Sequence, residues 1–127
     1  MAKKLPHANN WKERKIEDWN ANTFRAYLKD KHRAEKGLPY VSRSVQMEAG
    51  MIKRTYEEFG KEVTKRFIDK CFELYKPLNG KNSVNFAYMY SSMRSWVLPE
   101  VLEEMQREIN DTEIKEESDV DDALDFL

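Results

Sequence analysis

Cysteine is almost missing from this chain: Cys71 is the only one in 127 residues. An internal disulfide and a multi-cysteine zinc site are thereby excluded, and the chain suits a reducing compartment. Histidine is nearly as rare, and His7 and His32 stand far apart. A zinc site needs several converging ligands, so no metal is expected and His32 reads as solvent-facing. Gly and Pro, four of each, are too few for a turn-rich β sandwich. No apolar run reaches the length that spans a bilayer. Met1-Ala2-Lys3-Lys4 is followed by no signal-peptide core. The expectation is a soluble cytoplasmic protein with no membrane contact.

Catalytic signatures are lacking too. There is no Gly-rich phosphate loop, no His-Glu-x-x-His and no Ser-centred elbow. Cys71 shares an apolar helical face with Phe67 and Leu74, where a thiol acts as a small hydrophobe. Its neighbour Lys70 points elsewhere on a helix. The chain is expected to be no enzyme and to carry no cofactor.

What is abundant is charge and helix-forming side chains. The pattern predicts an all-α fold, a compact bundle of four to five short helices over residues 11–109. A flexible basic arm, 1–10, precedes it and a disordered acidic tail, 110–127, follows. Trp11, Ile16 and Trp19 punctuate a charged stretch that can dock as a short turn. An Asn22 cap opens the first helix, with Phe24, Tyr27 and Leu28 inward, and Gly37 and Pro39 end it. Ser44 caps a second helix with Met47, Met51, Ile52, Tyr56 and Phe59 inward, closed by Gly60. A third carries Val63, Phe67, Ile68, Cys71, Leu74 and Tyr75, and Pro77 stops it. Leu78-Asn79-Gly80-Lys81-Asn82 reads as a turn. The fourth starts near Ser83 or Asn85, with Phe86, Met89, Tyr90, Met93, Trp96 and Val97 as its apolar stripe. Tyr88 falls off that stripe with Arg94 near it. Pro99 interrupts or bends the helix, and Val101, Leu102, Met105 and Ile109 form a last short one.

Charge is divided along the chain. Residues 1–109 hold 21 Lys and Arg against 15 Asp and Glu; residues 110–127 hold one Lys against eight acids. These are nets of +6 and −7. Lys3, Lys4, Lys12, Arg14 and Lys15 cluster at the N-terminus. Arg43, Lys53 and Arg54 flank the second helix, and Lys65 and Arg66 sit on the third. Such cations can neutralise phosphates, so these ten are the candidate nucleic-acid-binding residues, for single- or double-stranded DNA. Glu57, Glu58 and Glu62 lie among them, as in any solvated face of mixed charge.

The tail ends Asp119-Val120-Asp121-Asp122-Ala123-Leu124-Asp125-Phe126-Leu127. An acidic run closing on apolar residues resembles the tails of single-stranded-DNA-binding proteins. That resemblance covers nine residues and implies recruitment of a protein partner through Asp121, Asp122, Leu124, Asp125, Phe126 and Leu127. Phe24-x-x-Tyr27-Leu28, Tyr40, Lys53-Arg54 with Tyr56 and Gly60, and Phe86-x-x-Met89 make the body similar to small bacteriophage replication proteins. Together they imply a non-enzymatic nucleic-acid-binding accessory protein of phage DNA replication or recombination. The other reading is a protein-interaction module, such as a helicase-loading adaptor or an inhibitor of a host enzyme, that binds no nucleic acid. Self-association into a homo-oligomer is compatible with both.

Overall fold

The computed structural model describes residues 5–77 and 82–124, with side chains as far as Ile114. Lys3, Lys4, most of the expected turn at 78–82, and the proposed partner-binding side chains from Asp121 to Leu127 lie outside what is described. Among the described residues the fold is all-α. A 3-10 turn (Ile16–Asp18) leads into α1 (Ala21–Lys36), α2 (Val45–Phe59) and α3 (Lys61–Leu74). One rod follows: α4 (Phe86–Tyr88), a π-turn (Met89–Met93) and α5 (Arg94–Leu124). α3 packs against α1, α2 and α5.

The helix ends follow local chemistry. Asn20, two residues before the expected Asn22, caps α1. Its side chain accepts from the Thr23 N–H at 3.0 Å and Thr23 Oγ1 accepts from the Asn20 N–H at 3.2 Å. This reciprocal capping box requires an acceptor at both positions, and Thr23 supplies the second. Gly37 ends α1 at φ 69°, left-handed backbone that favours glycine. Ser44 and Asn85 cap α2 and α4 as expected.

The core is built on Phe24, Leu28, Ile52, Phe67, Ile68, Phe86, Met89, Met93 and Val97, all at most 2% exposed. Cys71 is buried among them, and burial pushes its thiol well above the usual range. Two expectations fail here. Met47 is 54% exposed, because the inward face of α2 runs through Glu48, Ile52 and Thr55. Pro99 does not interrupt the helix; it lies inside α5. Pro99 and Ser95 are both exposed, so the carbonyl that a proline leaves without a donor faces water.

His32 is the sharpest correction: it is fully buried, not solvent-facing. Its Nε2 accepts from the Val84 N–H at 3.2 Å. Its Nδ1, which therefore carries the proton, donates to the Leu38 carbonyl at 2.8 Å. Glu48 is a second buried polar group, 2% exposed. Arg25 Nε donates to its Oε1 at 3.2 Å and the Tyr40 hydroxyl to its Oε2 at 2.7 Å. The same hydroxyl accepts from the Phe86 N–H at 3.0 Å. These two polar pins hold residues 38–40 and the start of α4 against α1 and α2.

The N-terminal segment docks as a strap. Trp11 meets Tyr27 edge-on at 4.8 Å and donates to Asp30 at 2.7 Å. Trp19 is buried against Phe24. At the other end, α5 passes Asn110 and reaches Leu124. Helical backbone continues past Asn110, with Glu among the good helix formers. Its side chains from Gln106 to Ile114 are exposed, as mutual repulsion requires.

Replacing His32 with Leu leaves the Val84 N–H buried without an acceptor. Urea unfolding should show a loss of about 1–3 kcal/mol.

Burial first, then a neighbouring carboxylate, raises the phenols of Tyr27 and Tyr40 well above the ordinary range. The unfolded chain would lose these protons near pH 10 while the folded chain keeps them. Stability should hold below that pH and fall as pH rises above it. Unfolding titrations of Tyr27→Phe and Tyr40→Phe should show a shallower alkaline loss than wild type; an equal slope would count against these phenols as its source.

Candidate functional site

The described cations of the sequence-derived set do not form one free surface. Arg14 turns inward, donating to the carbonyls of Pro6 and Asp18, each at 2.8 Å. Lys65 pairs with Asp69 at 3.1 Å and lies 5.0 Å from the Tyr27 ring. Arg66 grips Glu108 with both terminal nitrogens, at 2.8 Å each. That guanidinium holds the Glu108 carboxyl below the usual carboxylate range. Lys53 sits 3.9 Å from Glu57. Lys12 lies over the Trp11 ring at 5.5 Å. Lys15, Arg43 and Arg54 are exposed.

A different group emerges on α1. Lys29, Arg33 and Lys36 follow one another at i, i+4 and i+7, so they share a face. Among the described residues none of them has a carboxylate within ion-pair distance. The acids of the same helix are engaged elsewhere: Asp30 accepts from Trp11, and Glu35 pairs with Lys31 at 3.0 Å. Cations in the last turn also suit the negative end of the helix dipole.

Lys36 joins this ridge to a groove. Its ammonium lies 5.4 Å from the Tyr75 ring. Tyr75 meets Tyr88 edge-on at 5.5 Å. The groove has a volume of about 430 Å³ and is lined by Leu74, Tyr75, Lys76, Tyr88, Met93 and Trp96. Tyr88 is 40% exposed and Trp96 is 47% exposed. The sequence reading placed Trp96 on the inward stripe; instead Met93, Val97 and Val101 turn inward in four-residue steps.

The π-turn explains how Tyr88 and Trp96 meet. Eight residues along a regular helix would separate them by about 80° around the axis. The i→i+5 turn inserts one extra residue and cuts that to about 20°. The two rings therefore share a face that α-helical periodicity assigns to Tyr88 but not to Trp96. Ser91 and Ser92 inside the π-turn are the nearest sequence signal, and they do not specify it.

On the opposite flank of the rod, Phe59, Tyr90, Leu98 and Leu102 line a second groove of about 530 Å³. There the Arg94 guanidinium stacks 4.1 Å from the Tyr90 ring. Among the described residues no three acidic, His or Cys side chains converge as a metal site, and no helix is long and apolar enough to cross a membrane.

Because Tyr88 and Trp96 sit at the rim, Tyr88→Ala and Trp96→Ala should each change unfolding free energy by no more than about 0.5 kcal/mol. Thermal melts check this. A large loss would mean that these rings support the core.

The chain matches no family model, no curated protein and no solved structure.

Proposed function

We propose that this chain is a nucleic-acid-binding accessory protein that acts through binding rather than catalysis, in DNA replication or recombination. The observation that supports it is the α1 ridge of Lys29, Arg33 and Lys36, three cations on one face that form no ion pair among the described residues. Phosphate affinity comes from cations free to displace counterions, and a cation already paired to a carboxylate contributes less. That argument favours this ridge over Arg14, Lys65 and Arg66, which hold internal partners. Lys36 and Lys76 extend the positive charge to the edge of the groove. Arg43 and Arg54 on and beside α2 stay available as secondary contacts.

A protein-interaction role has its own support. Ile109 and Ile114 are 50% and 64% exposed on the free half of α5, apolar positions that a partner would cover. The two roles are compatible, since they use different parts of the molecule.

Fluorescence anisotropy with labelled DNA at several salt concentrations tests the main reading. Binding should weaken as salt rises. Lys29, Arg33 and Lys36 changed together to Gln should lower the magnitude of the log–log salt slope by roughly 2 to 3. The absence of any binding at low salt would sink the proposal.

A further inference from the structure

We infer that the groove between the end of α3 and the π-turn is a base-stacking platform, and that the nucleic acid it takes is single-stranded. The inference rests on the phosphate-binding reading of the α1 ridge and goes beyond it, because the ridge alone does not distinguish a single strand from a duplex.

The chemistry of the groove carries the distinction. Three aromatic rings converge there, from Tyr75, Tyr88 and Trp96, and two of them keep two-fifths or more of their surface in water. Exposed rings of this size offer a broad flat face on which another flat apolar surface can stack. A base in a single strand presents such a face; in a duplex, neighbouring base pairs cover both faces. Aromatic stacking beside a positively charged track is the physical basis of single-strand binding.

The charge around the rings matches this occupant. Lys76 lines the groove, and Lys36 reaches over Tyr75 from α1. From Lys36 the ridge runs back through Arg33 to Lys29 along about 10 Å of helix axis. That length suits a short run of consecutive phosphates. One strand could thus lay its backbone on α1 while its bases turn toward Tyr88 and Trp96. Leu74 and Met93 in the lining are apolar, and stacking on a ring discriminates little between bases. Recognition should therefore be tolerant of sequence.

The π-turn makes the platform possible. Wound as regular α-helix, the same residues would set Tyr88 and Trp96 about 80° apart, which would take the two rings off a common face. DNA and RNA share the relevant chemistry, because stacking faces and phosphates are common to them.

The test uses the full chain and titrates tryptophan emission with oligothymidylate, oligouridylate of the same length, a duplex of the same length, and polyglutamate as an acidic polypeptide. Single strands should quench emission and bind more tightly than the duplex. Trp96→Phe should remove most of the quenching, since Trp11 and Trp19 lie in the strap, while keeping affinity within a few-fold. Trp96→Ala should weaken single-strand binding roughly five-fold or more and leave duplex binding unchanged. Comparison of oligothymidylate with oligouridylate reports whether the sugar matters; binding of either supports the platform. Salt-sensitive binding of duplex equal to single strand, unaffected by Trp96→Ala, would overturn the platform while leaving the ridge reading intact. Failure of every nucleic acid to bind would overturn both. A response to polyglutamate alone would overturn both and reassign the groove to an acidic polypeptide.

Discussion

The arrangement of the whole bundle depends on two buried polar side chains that hold a linker in place. His32 and Glu48 lie in the interior, where a polar group without a partner is costly. Each is satisfied by groups from other segments: the Leu38 carbonyl and Val84 N–H for His32, Arg25 and Tyr40 for Glu48. Tyr40 passes the connection on to the Phe86 N–H. The linker after α1 is therefore fastened to the entry of the rod. The position of the rod relative to α3 follows, and with it the position of Tyr88 and Trp96 beside Tyr75. Apolar packing fills the interior, but these directional bonds decide which way the rod enters.

Much of the fold was legible because its local signals agree with one another. Gly37, Gly60, Ser44 and Asn85 bracket the helices as capping chemistry demands, and Phe67, Ile68 and Cys71 repeat at helical spacing on α3. The failures share one physical cause, which is that tertiary partners are invisible in sequence. His32 and Glu48 look like surface residues until their partners, up to 52 residues away, are known. Once Glu48 turns inward, Met47 must turn outward. Pro99 reads as a breaker because periodicity does not show that Ser95 faces water.

The candidate site was the least legible part. The basic residues that stood out were those clustered in sequence, and several are held by partners such as Glu108 and the Pro6 carbonyl. Lys29, Arg33 and Lys36 drew no notice because Asp30, Lys31 and Glu35 are interleaved with them. Folding sorts the two sets: the acids face Trp11 and Lys31, and the three cations keep the other side. Tyr88 lies off the inward stripe as expected, and Trp96 was misplaced on it for a geometric reason, since a uniform helical repeat cannot anticipate a single π-turn.

The length of α5 has an electrical consequence. Among the described residues, Glu108 is the last side chain of α5 with an ion pair to another helix, through Arg66. The helix continues to Leu124, so its backbone at Glu116 lies about 12 Å along the axis beyond that contact. At physiological ionic strength, charges influence one another over only about 8 Å. Although the chain has a formal net charge of only −1, an approaching polyanion would meet a local cation and a basic surface would meet a local anion, each in its own place. Near-neutrality here describes the sum and neither end.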